Sequence, residues 1–471
     1  MIACGSGATT SATTASTRLP VAIAAGGGSD WPEFGGNPQR SDASNAPTGI
    51  TAANVAGLPR RRIDLPGTVD SSPIYLHGVS VAGGAHDVFI VTTTYGRTLA
   101  LDASDGHILW QFTPHGIGGW EGSYQVTNAS PAADPDRRYV YAASPDGRIH
   151  KLALTDGHEA AGWPVRVTLD SAREKLGGSL GVEGSSVIAV TGGYIGDAPP
   201  YQGHVVAISR ASGRVTAVFN SLCDGRHHLI VPSSCASSDS AIWARGGAVT
   251  EPGSGRLLVG TGNGPYNGRS DFGDSVVELD FRSLHRRQSF TPTNQADLNT
   301  SDTDLGSAAP AILPGGLVLA GGKDGILRLR DQRRLDGRAV GTPARTGGEL
   351  QTLSGPGGSQ LLAQPAVWGN DVFVATSGGT AAYVVRGRRL HLLWQNGHSG
   401  SSPIVAGGLL YVYDVAAGEL DVYRPSSGRR VAALPAGGGH WNSPVIAGGR
   451  IALGEGNVND QSTHGVLDLY G

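Results

Sequence analysis

Three segments of this 471-residue chain carry polar residues of the kinds that bind ions and move protons. Asn263 lies in LLVGTGNGPYNGRS, Asp304 in SDTDLGSAAPAIL and Lys323 in AGGKDGILRLRD. An amide oxygen and a carboxylate are the hard donors that Ca²⁺ takes. A carboxylate is also a base for a hydroxyl proton, and an ammonium pairs with an anion. Each residue has a plainer reading too. Asn-Gly and Lys-Asp-Gly are hairpin turn sequences, and an Asp ahead of a Gly-Ser turn caps backbone amides. The cysteines are Cys4, Cys223 and Cys235. None forms CxxC or CxxCH, which excludes a zinc ribbon and c-type haem on this chain. Cys223 and Cys235 flank DGRHHLIVPSS. A disulfide across a surface loop, a zinc site with His227 and His228, and two free thiols are all open, although adjacent histidines are awkward ligands for one tetrahedral ion. Cys4 stands in MIACGSG before a Ser/Thr/Ala-rich run to about Ala25. That pattern fits an acylated Cys on a flexible tether, or an ordinary N-terminal tail.

The elements that must position these residues are strands. Gly (73) and Pro (27) together interrupt the chain too often for long helices, and only 16% of residues are charged. Runs of Val, Ile, Leu, Tyr and Thr between Gly-rich turns are a β composition. A hydrophobic share of 39% still supports a large core. A net charge of −3 without a basic stripe argues against nucleic acid as a partner. No apolar run is long enough to span a membrane as a helix.

A phrase recurs: a small residue, often Ser, then Pro or a substitute, then apolar residues. It reads SSPI (71–74), ASPA (129–132), AAPA (308–311), AQPA (363–366), SSPI (401–404) and NSPV (442–445), with weaker copies GSLG (178–181) and GGAV (246–249). The eight copies are spaced by about 53 residues, slightly above the ~40–50 of propeller blades. A second phrase, cleanest as ALDASDGHILW (100–110), closes the units. Each unit reads as four short strands that bury their faces only by stacking on neighbouring units. The expected fold is an all-β, eight-bladed β-propeller of four-stranded antiparallel blades over 31–471, with 1–30 as a tether. The last unit is one strand short, and LPRRRIDLPG (58–67) is the candidate to complete it. In such a ring the loop into each innermost strand and the second-to-third-strand turn open on one face. Asn263, Asp304 and Lys323 all fall on that face, as do His440 and Trp441, whose plainer role is packing between blades.

WPEFGGNPQR, ALDASDGHILW, the SSPI repeats and HWNSPVIAGG resemble the quinoprotein-type, PQQ-binding-like β-propellers (PQQ, pyrroloquinoline quinone) over roughly 31–471. The ALDxxxGxxxW phrase is similar to that family's tryptophan-docking motif and speaks to fold rather than activity. The resemblance implies one of two roles. One is a PQQ- and Ca²⁺-dependent dehydrogenase of alcohols or sugars; the other is a non-catalytic propeller that binds proteins or envelope components, like the propeller lipoprotein of the β-barrel assembly machinery. GTGNGPYN is similar to the segment with the calcium-ligating Asn, implicating Asn263. TDLGSAAP resembles the segment with the catalytic Asp, implicating Asp304 as base and metal ligand. GGKDG resembles the turn whose cation lies over the quinone, implicating Lys323. The stacking Trp would be Trp243 in SAIWARGGAV, in a register shifted by about two residues. The family's calcium-binding Glu has no counterpart in VTGGYIGDAPPYQGH, where Asp197 is the only carboxylate, and the adjacent-cysteine disulfide is missing. The resemblance further implies an extracytoplasmic location, periplasmic or at the cell surface, with Cys4 as a lipid anchor.

Overall fold

The computed structural model describes Met1 and residues 30–471; Cys4 and residues 2–29 of the expected tether lie outside the described residues. Eight four-stranded antiparallel sheets form the ring. Blade 1 is built from Ile74–Val81, Gly84–Thr92, Thr98–Asp102 and Ile108–Phe112. Every one of the eight recurring phrases ends on the first residue of an innermost strand: Ile74, Ala132, Gly181, Val249, Ala311, Ala366, Ile404 and Val445. The repeat therefore marks the point where the chain turns from the face loops down the axis.

Closure follows the expected route. Arg60–Leu65 pairs antiparallel with Gly465–Tyr470, in register Arg60 with Tyr470 through Leu65 with Gly465. The start of the ring thus supplies the outermost strand of its last blade and covers the edge of Gly465–Tyr470. Arg60 reinforces the seam through Asp468 (2.8 Å) and Glu455 (2.6 Å).

Stacked blade faces make the core. Tyr411, Tyr413, Ile451, Leu453 and Tyr75 interleave between blades 7, 8 and 1 and are fully buried. At the rim, Trp110 of blade 1 lays its ring over Gly157 of blade 2 and donates from Nε1 to the Leu154 carbonyl (2.8 Å). Trp394 of blade 6 does the same over Gly428, donating to Pro425 (2.7 Å). Ile63 of the closing strand packs on Gly106 in the corresponding position.

Residues 31–44 seal one end of the axial channel. Innermost strands leave their inner edge unpaired, and buried backbone groups need partners. The second residue of six innermost strands donates its N–H to this segment: Tyr75 to Trp31 O (2.9 Å), Ala133 to Pro32 O (2.7 Å), Val182 to Glu33 Oε2 (3.3 Å), Thr250 to Pro38 O, Val367 to Ser41 O and Val405 to Asp42 O (each 2.8 Å). Buried Arg40 ties the seal together, bonding Glu33 Oε2 (2.9 Å) and the carbonyls of Phe34 (2.9 Å) and Leu180 (3.0 Å). WPEFGGNPQR is thus a plug.

Two further features fall outside the repeat. Glu174–Lys175 pairs with Gly192–Gly193 as a small separate ladder, and a helix, Gln295–Thr300, precedes blade 5. Cys223 and Cys235 form a disulfide, with Cα atoms 6.3 Å apart. His227 stacks on His285 instead, 4.0 Å between ring centroids. Among the described residues no helix is long and apolar enough to cross a membrane.

Candidate active site

The residues immediately before the eight phrases are Asp70, Asn128, Gly177, Arg245, Ser307, Leu362, Gly400 and Trp441. They sit where each chain reaches the axis, above the plug. There the channel opens into a cavity of about 460 Å³, of ordinary size for a small-molecule site. Asn263, Asp304, Lys323, Trp243 and Asp197 all line it, together with His440 and Trp441.

Asp304 sits on the loop into blade 5, 3% exposed. Its Oδ1 accepts the Asn263 backbone N–H (2.6 Å), and its Oδ2 lies 2.6 Å from Lys323 Nζ. The two loops are also joined through the backbone, Lys323 N–H to Asp304 O (2.9 Å). This closeness depends on glycine. A Cβ at Gly262 would collide with Asp304 Oδ1, and one at Gly322 with the Asp304 carbonyl. The Gly-rich turns thus serve contact as well as chain reversal. Burial raises the Asp304 pKa, the Lys323 ammonium and the Asn263 N–H pull it back, and it stays above the ordinary aspartate value. Lys323 is raised: its burial is outweighed by Asp304 and Asp302, whose Oδ1 is 3.1 Å from Nζ.

Trp243 and Trp441 provide aromatic surface, their centroids 5.7 Å apart at 40°. Lys323 Nζ stands 5.7 Å from the Trp243 ring centroid. His440 stacks on Trp441 at 3.8 Å, and its Nδ1 is 3.0 Å from Asp70 Oδ2. Arg245, on the loop into blade 4, reaches Asp70 on the loop into blade 1 through a bidentate set of bonds to its carboxylate and carbonyl. Burial opposes ionisation of Asp70, but Arg245, then His440, hold its carboxyl below the usual range. This buried network ties together loops from blades 1, 4 and 8.

Beside this network the cavity carries Lys175 and Asn128, whose carbonyl accepts from Arg245 (3.4 Å). Side chains alternate along a strand, so on the Glu174–Lys175 strip Glu174 turns into the protein, to His204 Nε2 (2.9 Å), while Lys175 lines the cavity. Burial first, and then the nearby Arg245 guanidinium, push the Lys175 ammonium down to about 8. Asn128 is 6% exposed, and its Oδ1 is buried with no hydrogen-bond partner. Asp197 accepts from Tyr201 Oη (3.0 Å); burial raises its pKa.

The five residues singled out from sequence therefore share one cavity. Lys175, Asn128, Asp70 and Arg245 were not singled out. Three of them, Asn128, Asp70 and Arg245, stand at the position just before a phrase of the repeat. Lys175 had no such marker, since its strip lies outside the repeat.

A closed ring of eight four-stranded blades, docked by tryptophans and carrying an axial cavity on one face, defines a PQQ-type β-propeller. The chain belongs to the family described as outer membrane protein assembly factor BamB, whose profile matches residues 45–218 and 275–433, well over half its length. No curated protein sequence matches it. Among solved structures it is similar to quinohemoprotein alcohol dehydrogenase ADHIIG from Pseudomonas putida HK5 (TM-score 0.69, 14% identity, covering 94% of this chain and 80% of that one). It is similar to a europium-containing methanol dehydrogenase (0.67, 14%, 94% and 98%), and to BamB from Moraxella catarrhalis (0.53, 12%, 88% and 97%). At such identities the likeness is one of fold.

Proposed function

We propose that this propeller is an extracytoplasmic quinoprotein, whose axial cavity binds PQQ and oxidises the hydroxyl of a small alcohol or sugar. One observation carries the reading: Asn263, Asp304, Lys323 and Trp243, taken from four separate loops, converge on one cavity of about 460 Å³. The lining suits an anionic, planar quinone. Trp243 gives a flat apolar surface, Lys323 and Lys175 give positive charge, and unpartnered Asn128 Oδ1 gives an acceptor. Bound PQQ supplies a two-electron acceptor.

The chain's own residues do the remaining work. Asp304 takes the substrate hydroxyl proton. Lys323 and the Asn263 N–H hold that carboxylate in place and oppose the rise that burial imposes on its pKa. Trp441 and His440, stacked together and backed by Asp70, wall off one side of the cavity. The disulfide supports export, since such bonds persist in oxidising compartments. Anchoring at Cys4 is part of the same proposal.

A second reading, a propeller that docks envelope proteins through its faces, is favoured by the Asp304–Lys323 contact. Both Asp304 oxygens already have partners within the chain, as in a purely structural pair. Reconstitution with PQQ decides between the two. The quinoprotein reading expects a new visible absorption band and dye-linked oxidation of at least one member of an alcohol and sugar panel. A protein that takes up no PQQ, with or without added metal, overturns it.

A further inference from the structure

Two cations face this cavity in different circumstances. Lys323 is engaged: its Nζ contacts Asp304 Oδ2 at 2.6 Å and Asp302 Oδ1 at 3.1 Å. Lys175 lines the same cavity, yet among the described residues its Nζ makes no ion pair or hydrogen bond. Beside it stands Asn128, whose buried Oδ1 also lacks a partner; both side chains crowd the same spot above Gly177. A half-buried, unpaired ammonium and a buried amide oxygen left open at one wall suit a ligand bearing both an anion and a hydrogen-bond donor.

The carboxylates, by contrast, each hold at least one partner within the chain. Asp304 is bonded through both oxygens, and Asp197 accepts from Tyr201. A divalent cation at Asn263, Asp304 and Asp197 would sit against the Lys323 ammonium, with Lys175 in the same cavity. Among the described residues the grouping of His and carboxylates spaced for a metal ion is His398, Asp414 and Asp421, none of which lines this cavity. The donor set fits the quinone and does not fit a metal beside it.

We infer that Lys175 is the fixed cation of this site, and that a planar carboxylate ligand binds here through Lys175 and Asn128 without a divalent metal. The inference rests on the quinone reading for the ligand's identity, and on the cavity wall alone for its chemistry. It deepens that reading by replacing the expected calcium with a side chain.

Titration calorimetry on the full chain tests it with PQQ as probe, in EDTA and in excess CaCl₂. Wild-type affinity should be equal in the two buffers. Lys175→Met, which keeps the stem and removes the charge, should weaken binding by roughly 10- to 100-fold, the loss of one charge-assisted contact. Lys175→Arg should retain most of it and guards against a folding artefact, with circular dichroism checking both. Lys175→Glu should make binding depend on calcium. Wild-type binding that needs calcium, or Lys175→Met binding as tightly as wild type, overturns the inference. Should PQQ bind in neither buffer, the quinone reading falls, and pyrrole-2-carboxylate, which carries a carboxylate and a ring N–H, becomes the probe. Its binding to wild type and loss in Lys175→Met would sustain the role of Lys175, and its failure to bind wild type would overturn that as well.

Discussion

The two ends of the axial channel are finished differently. At the plugged end, backbone meets backbone: residues 31–44 satisfy the inner edges of six innermost strands, and Arg40 spends its guanidinium on Glu33 and three carbonyls. At the cavity end, side chains from different blades face each other, and Lys175 and Asn128 keep unspent bonding capacity. In this ring residues 31–44 close one end. The other end can then hold groups whose partners are not part of the chain. Substitutions at the two ends should separate accordingly into losses of stability and losses of binding or turnover.

The largest expected effect is at the cavity end. Asp304→Asn removes the proposed base while leaving an oxygen for the Asn263 N–H. In the PQQ-reconstituted protein it should lower turnover by roughly 10²- to 10⁴-fold and leave PQQ binding nearly intact. Unchanged turnover would remove Asp304 from the chemistry and favour the structural pair. At the plugged end, Arg40→Ala strands Glu33, which is already raised by burial and held back by Arg40. A loss of about 3–5 kcal/mol in urea unfolding is expected for breaking such a buried pair, with ligand affinity unchanged. If Arg40→Ala weakened PQQ binding as much as stability, the division between the ends would fail. The Cys223–Cys235 bridge spans a loop leading to the cavity end. Its removal as the double Ser variant should cost about 3 kcal/mol in the entropic account of such loops. Mass spectrometry that finds both thiols free in exported protein would leave that loop unstapled.

How much of this was written in the sequence differs between the same two ends. The blades were legible because one phrase recurs at each turn into the axis, and even its weakest copies, GSLG and GGAV, open real innermost strands at Gly181 and Val249. Strand order then placed Asn263, Asp304 and Lys323 on one face. The plug was not legible, because WPEFGGNPQR joins no blade and its partners are backbone N–H groups, which have no residue signature. Lys175 was missed for a related reason. Its position follows from a two-residue ladder with Gly192–Gly193, a pairing too short to leave a period. Trp243 was recognised by type, and only the folded loop shows how its ring meets Trp441 and Lys323.

The smallest effect, and the one that most sharpens the comparison, is a dependence of stability on pH. Asp274 lies behind Asp304. Its Oδ1 accepts the Leu305 N–H (3.2 Å), and burial first, with repulsion from Asp304, pushes its carboxyl up to about 7. In the unfolded chain it returns to an ordinary value of ~3.9. Between those two values the folded protein holds a proton that the unfolded chain has released. The unfolded state therefore binds fewer protons, and stability falls as pH rises through that window, levelling off above about 7. Asp274→Asn keeps an acceptor for Leu305 and cannot ionise. It should be more stable than wild type at pH 8, by about 1–3 kcal/mol, and nearly equal to it at pH 4, with a flatter profile between. Asp42 at the plugged end is raised by burial in the same direction, opposed only by Arg40, and both its oxygens are without partners. Asp42→Asn should therefore flatten its own share of the decline, and the two variants should add, because the sites stand at opposite ends of the channel. Profiles for the two that fail to add would mean that the ends communicate through the innermost strands; a wild-type profile flat from pH 4 to 8 would mean that neither carboxyl is held protonated by the fold.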